Sequence, residues 1–203
     1  MSTLRYAITD RTQYAETEPE RHAALVAQAS RLATEGVDFI QLREKDIPAQ
    51  DLIGVAREIL NVIRQGSSGT RLLINSRADV AIAAGAHGVH LPSGREQLKP
   101  VQVRQIFLQA GQAGPTVSVS CHSMDDVMRA REDGADLILF GPVFGKSVTG
   151  KVVVPETGLA ALKVACKMAG ETAVLALGGI TAGNAGPCLA AGAKGIAAIR
   201  LFR

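Results

Sequence analysis

Three polar side chains alternate at the end of a short, mostly apolar run near the beginning of the chain. Gln41, Arg43 and Lys45 stand at every second position after residues 37–40, so in an extended chain they point to the same side. An amide beside two cations is suited to an anionic group such as a phosphate or a carboxylate. A solvated, charged loop is the alternative interpretation of this segment.

A histidine with small polar neighbours follows another run. His122 comes two residues after Ser120, and because histidine titrates near neutral pH it is a candidate for proton transfer. Cys121 is adjacent, but neighbouring strand residues point in opposite directions, and no flanking motif supports a cysteine nucleophile. His87 and His90 alternate with apolar residues, which favours hydrogen-bonded core or rim histidines over catalysts.

Further candidates for binding an anion follow other runs. Asn75 ends one run and could bind a ligand or cap the next helix. Gly178 and Gly179 follow a later run and precede a predicted helix at residues 181–191, where bare backbone N–H groups can bind phosphate. Tight packing would also require these glycines. Arg200 follows the last run.

The longest predicted loop covers residues 140–151. It places glycine, serine and threonine around Lys146 and Lys151, which predicts a mobile lid able to contact phosphate. An ordinary flexible loop is the alternative, and the sequence does not choose between the two lysines.

A repeated glycine pattern indicates the elements that position these residues. Gly36, Gly85, Gly134 and Gly192 each follow a helical pattern and precede a short apolar run, at separations of 49, 49 and 58 residues. Glycine adopts the left-handed conformation that ends many helices. The runs after these glycines do not alternate, as expected for parallel strands covered on both faces.

Four further runs raise the number of predicted strands to eight, and helical patterns lie between them. This alternation predicts a single (β/α)8 TIM barrel over residues 1–203, with its last helix truncated or missing. An open doubly wound sheet would carry a glycine-rich first turn, which residues 7–11 lack. In a barrel, the chemistry belongs at the carboxyl ends of the strands.

Composition excludes several classes of protein. The 203 residues carry 22 Lys and Arg against 19 Asp and Glu, so no broad cationic field favours nucleic acid. No apolar stretch approaches the roughly 20 residues of a membrane span, and no leader pattern begins the chain. Three widely spaced cysteines without metal-binding spacing predict reduced thiols and a cytoplasmic location. The missing last helix would leave apolar barrel surface exposed, which predicts a homodimer.

Taken together in order, the strand-end segments resemble the thiamine phosphate synthase / TenI superfamily over essentially the whole chain. The matching segments are residues 41–45, 73–75, 88–91, 120–123, 134–136, 140–144 and 177–181. The synthase branch joins hydroxymethylpyrimidine diphosphate to thiazole phosphate and releases pyrophosphate with the help of Mg²⁺. The resemblance implies that diphosphate and pyrimidine contacts come from Gln41, Arg43, Lys45, Asn75, Ser120 and one of Lys146 and Lys151.

The metal carboxylates of that branch are not matched. Ser76 and residues 92–95 stand in their places, which predicts a poor Mg²⁺ site because hard cations select charged oxygen ligands. Glu96 could replace one of the two carboxylates but not both.

The TenI branch is matched better by residues 91–94 and includes a metal-independent thiazole tautomerase. The resemblance then implies that His122 moves a proton, that Gly178, Gly179 and Arg200 hold a phosphate, and that Gln41, Arg43 or Lys45 meets a carboxylate. We therefore predict a tautomerase acting on thiazole phosphate without metal or other cofactor. The synthase, with Mg²⁺, is the alternative, and a non-catalytic binding protein for thiazole or thiamine phosphate is a second one.

Overall fold

The computed structural model describes residues 3–66, 69–94, 96–112, 114–148 and 151–203, without the side chains of residues 146–148 and 151–154. Within these ranges the chain forms ten strands: β1 (Leu4–Ile8), β2 (Phe39–Leu42), β3 (Arg71–Asn75), β4 (Gly88–Leu91), β5 (Thr116–Cys121), β6 (Leu137–Phe140), β7 (Lys146–Val148), β8 (Lys151–Val154), β9 (Ala173–Leu177) and β10 (Gly195–Ala198). The helices of the same ranges are α1 (Glu18–Thr34), α2 (Ala49–Gln65), α3 (Ala78–Ala84), α4 (Pro100–Gln109), α5 (Met124–Glu132), α6 (Gly158–Met168) and α7 (Ala185–Ala190).

Eight of the strands close into a parallel barrel. Its order is β1, β2, β3, β4, β5, β6, β9 and β10, and β10 pairs with β1 to complete the circle. The predicted (β/α)8 barrel is therefore confirmed. After β10 the chain forms a 3-10 turn over Arg200–Phe202.

Apolar side chains fill both faces of the barrel strands. The barrel interior is packed by Tyr6, Ile8, Leu137, Leu139, Leu175 and Ala197. A larger cluster fills the space between the strands and the surrounding helices. Burial on both faces explains why the strand sequences do not alternate between polar and apolar residues.

The repeated glycines end helices as the pattern predicts. Gly85 follows α3 with φ of +74°, and its N–H donates to the Ile82 carbonyl at 3.1 Å. Gly134 has φ of +78° after α5. Each glycine reverses the chain into the next strand at low steric cost.

Two predicted features differ from the structure. The loop after β6 contains the antiparallel pair β7 and β8, because β8 contains three consecutive valines, which favour strand. The helix predicted at residues 181–191 begins only at Ala185. Asn184 Oδ1 accepts a hydrogen bond from the Thr181 N–H at 2.8 Å, and such a local side-chain bond favours a turn over a helix. None of the helices in the described ranges is long and apolar enough to cross a membrane.

Candidate active site

A cavity of about 420 Å³ opens at the carboxyl ends of the barrel strands. We call it the mouth. It brings together most of the predicted site residues, and its lining comprises Ile8, Gln41, Arg43, Lys45, Asn75, Ser76, His90, Pro92, Ser93, Ser120, His122, Leu139, Leu177 and Ile199. The rule that strand ends carry the chemistry therefore identifies residues that meet in space.

Gln41 and Asn75 form the amide side of the mouth. Gln41 is the penultimate residue of β2 and Asn75 ends the neighbouring β3. Gln41 Nε2 donates to Asn75 Oδ1 at 2.8 Å. Gln41 is only 1% exposed, and its Oε1 has no hydrogen-bond partner among the described residues. Buried polar atoms are nearly always satisfied, so this oxygen is suited to accept a hydrogen bond from a ligand or a water molecule.

A buried polar network fixes the backbone at Arg43. The Arg43 N–H donates to Thr9 Oγ1 at 3.0 Å, and Thr9 Oγ1 donates to Glu44 Oε1 at 2.6 Å. Glu44 is buried and pairs with Arg11 at 3.1 Å. Arg43 and Lys45, on either side of Glu44, both line the mouth, whereas Glu44 does not. Thr9 and Arg11 were not identified from the sequence, although both follow the first strand and the strand-end rule applies to them.

His122 has a defined tautomer. Its Nδ1 hydrogen-bonds the carbonyl oxygen of Gly141, and because a carbonyl only accepts, Nδ1 carries the hydrogen. Nε2 is therefore the ring nitrogen that is available to accept a proton from a ligand. The side chain is exposed, and its backbone N–H donates to Asp126 at the start of α5.

The other histidines and Cys121 fit the non-catalytic interpretations. His87 Nδ1 accepts from the Leu72 N–H at 2.9 Å and does not line the mouth. Cys121 is buried, and burial raises the pKa of its thiol to about 12, which is unsuited to a thiolate nucleophile. His90 is a buried, hydrogen-bonded histidine whose ring nitrogens contact Ser118 and Ser120.

A second cavity of about 450 Å³ adjoins the mouth and shares Leu177 and Ile199 with it. Gly178, Gly179 and Arg200 line this cavity, which we call the phosphate pocket after its predicted ligand. Asp10 and Gln13 also line it, and neither was identified from the sequence.

Both glycines of the phosphate pocket are required by conformation and by packing. Gly178 and Gly179 have φ of +95° and +66°. A Cβ would lie 2.5 Å from Pro142 at Gly178 and 2.7 Å from Phe144 at Gly179. A turn separates these glycines from α7, which begins at Ala185, so the expectation that they open directly onto a helix N-terminus is wrong.

The lysines predicted to contact phosphate are placed only by their backbone. Lys146 begins β7 and Lys151 begins β8, and both side chains lie outside the described residues. Gly145, directly before β7, lines the phosphate pocket. The β7–β8 hairpin therefore starts at the edge of this pocket.

The mouth does not fit Mg²⁺, the metal that the resemblance associates with the synthase. All 19 carboxylate side chains of the sequence lie in the described ranges, and none lines the mouth. Asp10 in the phosphate pocket is engaged by Thr12 Oγ1 at 2.6 Å and Gln13 Nε2 at 2.5 Å. Ser76 does line the mouth, but a hydroxyl is a weak ligand for a hard cation. Glu96 is exposed and lines neither the mouth nor the phosphate pocket.

The closed barrel carries a mouth lined by Arg43 and Lys45 beside a glycine-lined pocket, an arrangement typical of a (β/α)8 enzyme. The family model described as thiamine monophosphate synthase (TMP-TENI) matches residues 5–202. The chain belongs to this family, which acts in thiamine biosynthesis.

Individual relatives agree with this assignment. A putative thiamine-phosphate synthase of Geobacter sulfurreducens is 39% identical over 96% of this chain and 84% of its own. A thiamine-phosphate synthase of Methanoculleus marisnigri is 38% identical over 82% of this chain and 74% of its own. The solved structure of a thiamine phosphate pyrophosphorylase from Pyrococcus furiosus covers 97% of this chain and 85% of its own, with a TM-score of 0.75 and 26% identity.

Proposed function

We propose that the substrate is a thiazole phosphate whose ring occupies the mouth and whose phosphate occupies the pocket of Gly178, Gly179 and Arg200. The two cavities adjoin at Leu177 and Ile199, so one small molecule can span both. Arg43 and Lys45 supply positive charge on the mouth side. We place the reaction in the cytoplasm, an expectation supported by three free cysteines.

The reaction we propose is the metal-independent tautomerisation of a carboxythiazole phosphate. A ring C–H bond breaks, the exocyclic double bond shifts into the ring, and a proton returns to the exocyclic carbon, so the atoms balance without a co-reactant. The observation that carries this choice is the mouth without carboxylates, which holds a histidine suited to proton transfer. His122 Nε2 would take and return the proton while the Gly141 carbonyl holds Nδ1.

Proton exchange at the thiazole tests this proposal. We expect the purified protein to convert the exocyclic alkene to the aromatic isomer in deuterated buffer, with deuterium at the exocyclic carbon and no need for Mg²⁺. His122→Ala should slow conversion by about a hundredfold or more. His22→Ala is the matched control, because His22 is an exposed histidine paired with Glu58. Equal rates in wild type and His122→Ala would contradict the role of His122.

Thiamine-phosphate synthase is the second candidate, and the names of the relatives support it better than they support the tautomerase. The buried Oε1 of Gln41 also favours it, because the amino group of an aminopyrimidine would supply the missing donor. Arg43 and Lys45 would then meet the diphosphate. We place it second because the mouth provides no carboxylate for the metal that this reaction requires.

One assay separates these candidates. The protein is incubated with hydroxymethylpyrimidine diphosphate and thiazole phosphate, with and without Mg²⁺, and pyrophosphate is measured. We expect no release above background. Metal-dependent release of pyrophosphate would overturn the tautomerase proposal. Thermal stabilisation by thiazole phosphate without turnover in either assay would instead indicate a binding protein.

A further inference from the structure

A chain of hydrogen bonds runs from the barrel interior to the mouth. The Tyr6 hydroxyl of β1 lies 2.9 Å from Ser118 Oγ of β5, which lies 2.9 Å from His90 Nδ1 of β4. His90 Nε2 lies 2.9 Å from Ser120 Oγ. Tyr6 and Ser118 are fully buried and His90 is 4% exposed, whereas Ser120 lines the mouth.

His90 is neutral at physiological pH. Burial, and to a lesser extent the nearby positive charge of Arg43, lowers its pKa to about 3. Burial also raises the pKa of Tyr6, which keeps its hydroxyl protonated. A neutral imidazole has one nitrogen that donates and one that accepts. The direction of both contacts therefore depends on which ring nitrogen of His90 carries the hydrogen.

The balance of donors decides this question. With the hydrogen on Nε2, Tyr6 donates to Ser118, Ser118 donates to His90 Nδ1, and each buried hydroxyl hydrogen has an acceptor. With the hydrogen on Nδ1, that nitrogen no longer accepts, and only the two hydroxyl oxygens of Tyr6 and Ser118 remain as acceptors. The hydrogens of Tyr6, Ser118 and Nδ1 then share these contacts, and one hydroxyl hydrogen is left without an acceptor among the described contacts. An unsatisfied buried donor costs about 1–3 kcal/mol, so the Nε2–H tautomer is favoured.

We propose that Tyr6, Ser118 and His90 are positioning residues that make Ser120 a hydrogen-bond donor into the mouth. His90 Nε2–H donates to Ser120 Oγ, so the hydrogen of Ser120 is free to point toward the ligand. The ligand atom at this place must then be an acceptor, such as a carboxylate oxygen, a phosphoryl oxygen or an unprotonated ring nitrogen. The proposal rests on the proposed function only for the identity of that ligand.

Nitrogen NMR of the histidine rings tests the tautomer directly. In ¹⁵N-histidine-labelled protein without ligand, we expect His90 to show a protonated Nε2 and an unprotonated Nδ1 from pH 6 to pH 8. Tyr6→Phe alone leaves Ser118 as a donor to Nδ1, whereas the double variant Tyr6→Phe/Ser118→Ala removes both hydroxyl hydrogens that face Nδ1. The two tautomers are then balanced, so the His90 nitrogen shifts of the double variant should move toward intermediate values. Tyr14→Phe is the matched control, because Tyr14 lies outside the hydrogen-bond chain and contacts Arg203.

Two spectroscopic outcomes would overturn the proposal. One is a wild-type His90 that carries its hydrogen on Nδ1, and the other is a folded Tyr6→Phe/Ser118→Ala variant whose His90 shifts match those of wild type. Should this double variant fail to fold, the wild-type spectrum still decides. Because the measurement needs neither ligand nor turnover, its outcome is independent of whether the protein is a tautomerase.

Ligand binding tests the donor role of Ser120 itself. We expect Ser120→Ala to weaken binding of carboxythiazole phosphate about tenfold by calorimetry, since a hydrogen bond to a charged acceptor is lost. Ser30→Ala, a substitution on α1 away from the mouth, is the control. Unchanged affinity in Ser120→Ala would overturn the donor role, even with the expected tautomer at His90.

Discussion

Single residues of the site fall into two groups, those that face the ligand and those that fix them in place. Arg43 lines the mouth, whereas Glu44 beside it is buried and holds the backbone through Thr9. Neighbouring side chains of this segment point to different sides, and this separates the two roles. A short polar motif can therefore contain both a binding residue and a buried support.

Gly179 illustrates how packing and backbone conformation combine at one residue. Gly179→Ala would force an alanine into φ of +66° and place its Cβ 2.7 Å from Phe144. We expect it to lower the free energy of unfolding by more than 2 kcal/mol and to reduce thiazole phosphate binding. Gly111→Ala is the matched control, since Gly111 has φ of +73° with open space around its Cβ position, and should cost only about 1 kcal/mol. Equal losses in chemical denaturation would contradict the packing argument.

Among the secondary-structure elements, α5 connects stability to the site. Ser123 caps this helix and accepts from the Asp126 N–H at 3.2 Å. Asp126 in turn accepts from the backbone N–H groups of His122 and Ser123, both at 3.0 Å. The capping carboxylate thus orders the segment that carries the candidate proton-transfer residue.

This cap predicts a pH dependence of stability. Burial alone would raise the pKa of Asp126, but its hydrogen bonds with His122 and Ser123 and its contact with Arg129 outweigh burial and lower it. A lowered pKa in the folded state stabilises the protein above the pKa of the unfolded state, about 4, and this contribution is lost as the pH falls further. We expect part of the loss of stability between pH 5 and pH 3 to disappear in Asp126→Asn, measured by urea denaturation.

An exposed carboxylate provides the control for this experiment. Glu132→Gln lies on the last turn of the same helix, where Glu132 is exposed. We expect Glu132→Gln to retain the loss of stability that Asp126 contributes. The cap would not be the cause if Asp126→Asn and wild type lost stability equally over this range.

Several elements could be predicted from the sequence, and others could not. Helix-ending glycines and strands buried on both faces are local patterns, so the eight barrel strands were identified. The hairpin of β7 and β8 and the late start of α7 were missed. Both depend on competition between weak local preferences, which the pattern of apolar residues does not resolve.

At the scale of the whole molecule, the C-terminal turn and the exposed apolar side chains lie on different parts of the surface. Phe202 is 4% exposed, and its carbonyl accepts hydrogen bonds from Gln28 and Arg31 of α1. The C-terminal turn thus packs against α1. The more exposed large apolar side chains lie on or near α4, α5 and α6: Leu98, Val101, Leu108, Met128 and Val164.

We still predict a homodimer, now formed through the surface of α4 to α6. Leu108 is 70% exposed, a large apolar side chain left in water. Light scattering after gel filtration should give twice the 21.2 kDa mass of the chain, and Leu108→Asp should shift the mass toward the monomer. Val101→Asp is a second test on the same helix. A monomer at all concentrations of wild-type protein would refute the prediction.

The sequence by itself determined the barrel and the rim on which Gln41, Arg43, Asn75, Ser120 and His122 meet. Both follow from short-range rules: apolar periodicity defines the strands, and the chemistry of a barrel lies at their carboxyl ends. The tertiary structure alone decided the hydrogen-bond partners of these residues, the tautomer of His122 and a mouth whose lining contains no carboxylate. These properties depend on contacts between strands far apart in the chain, which are fixed only when the barrel closes.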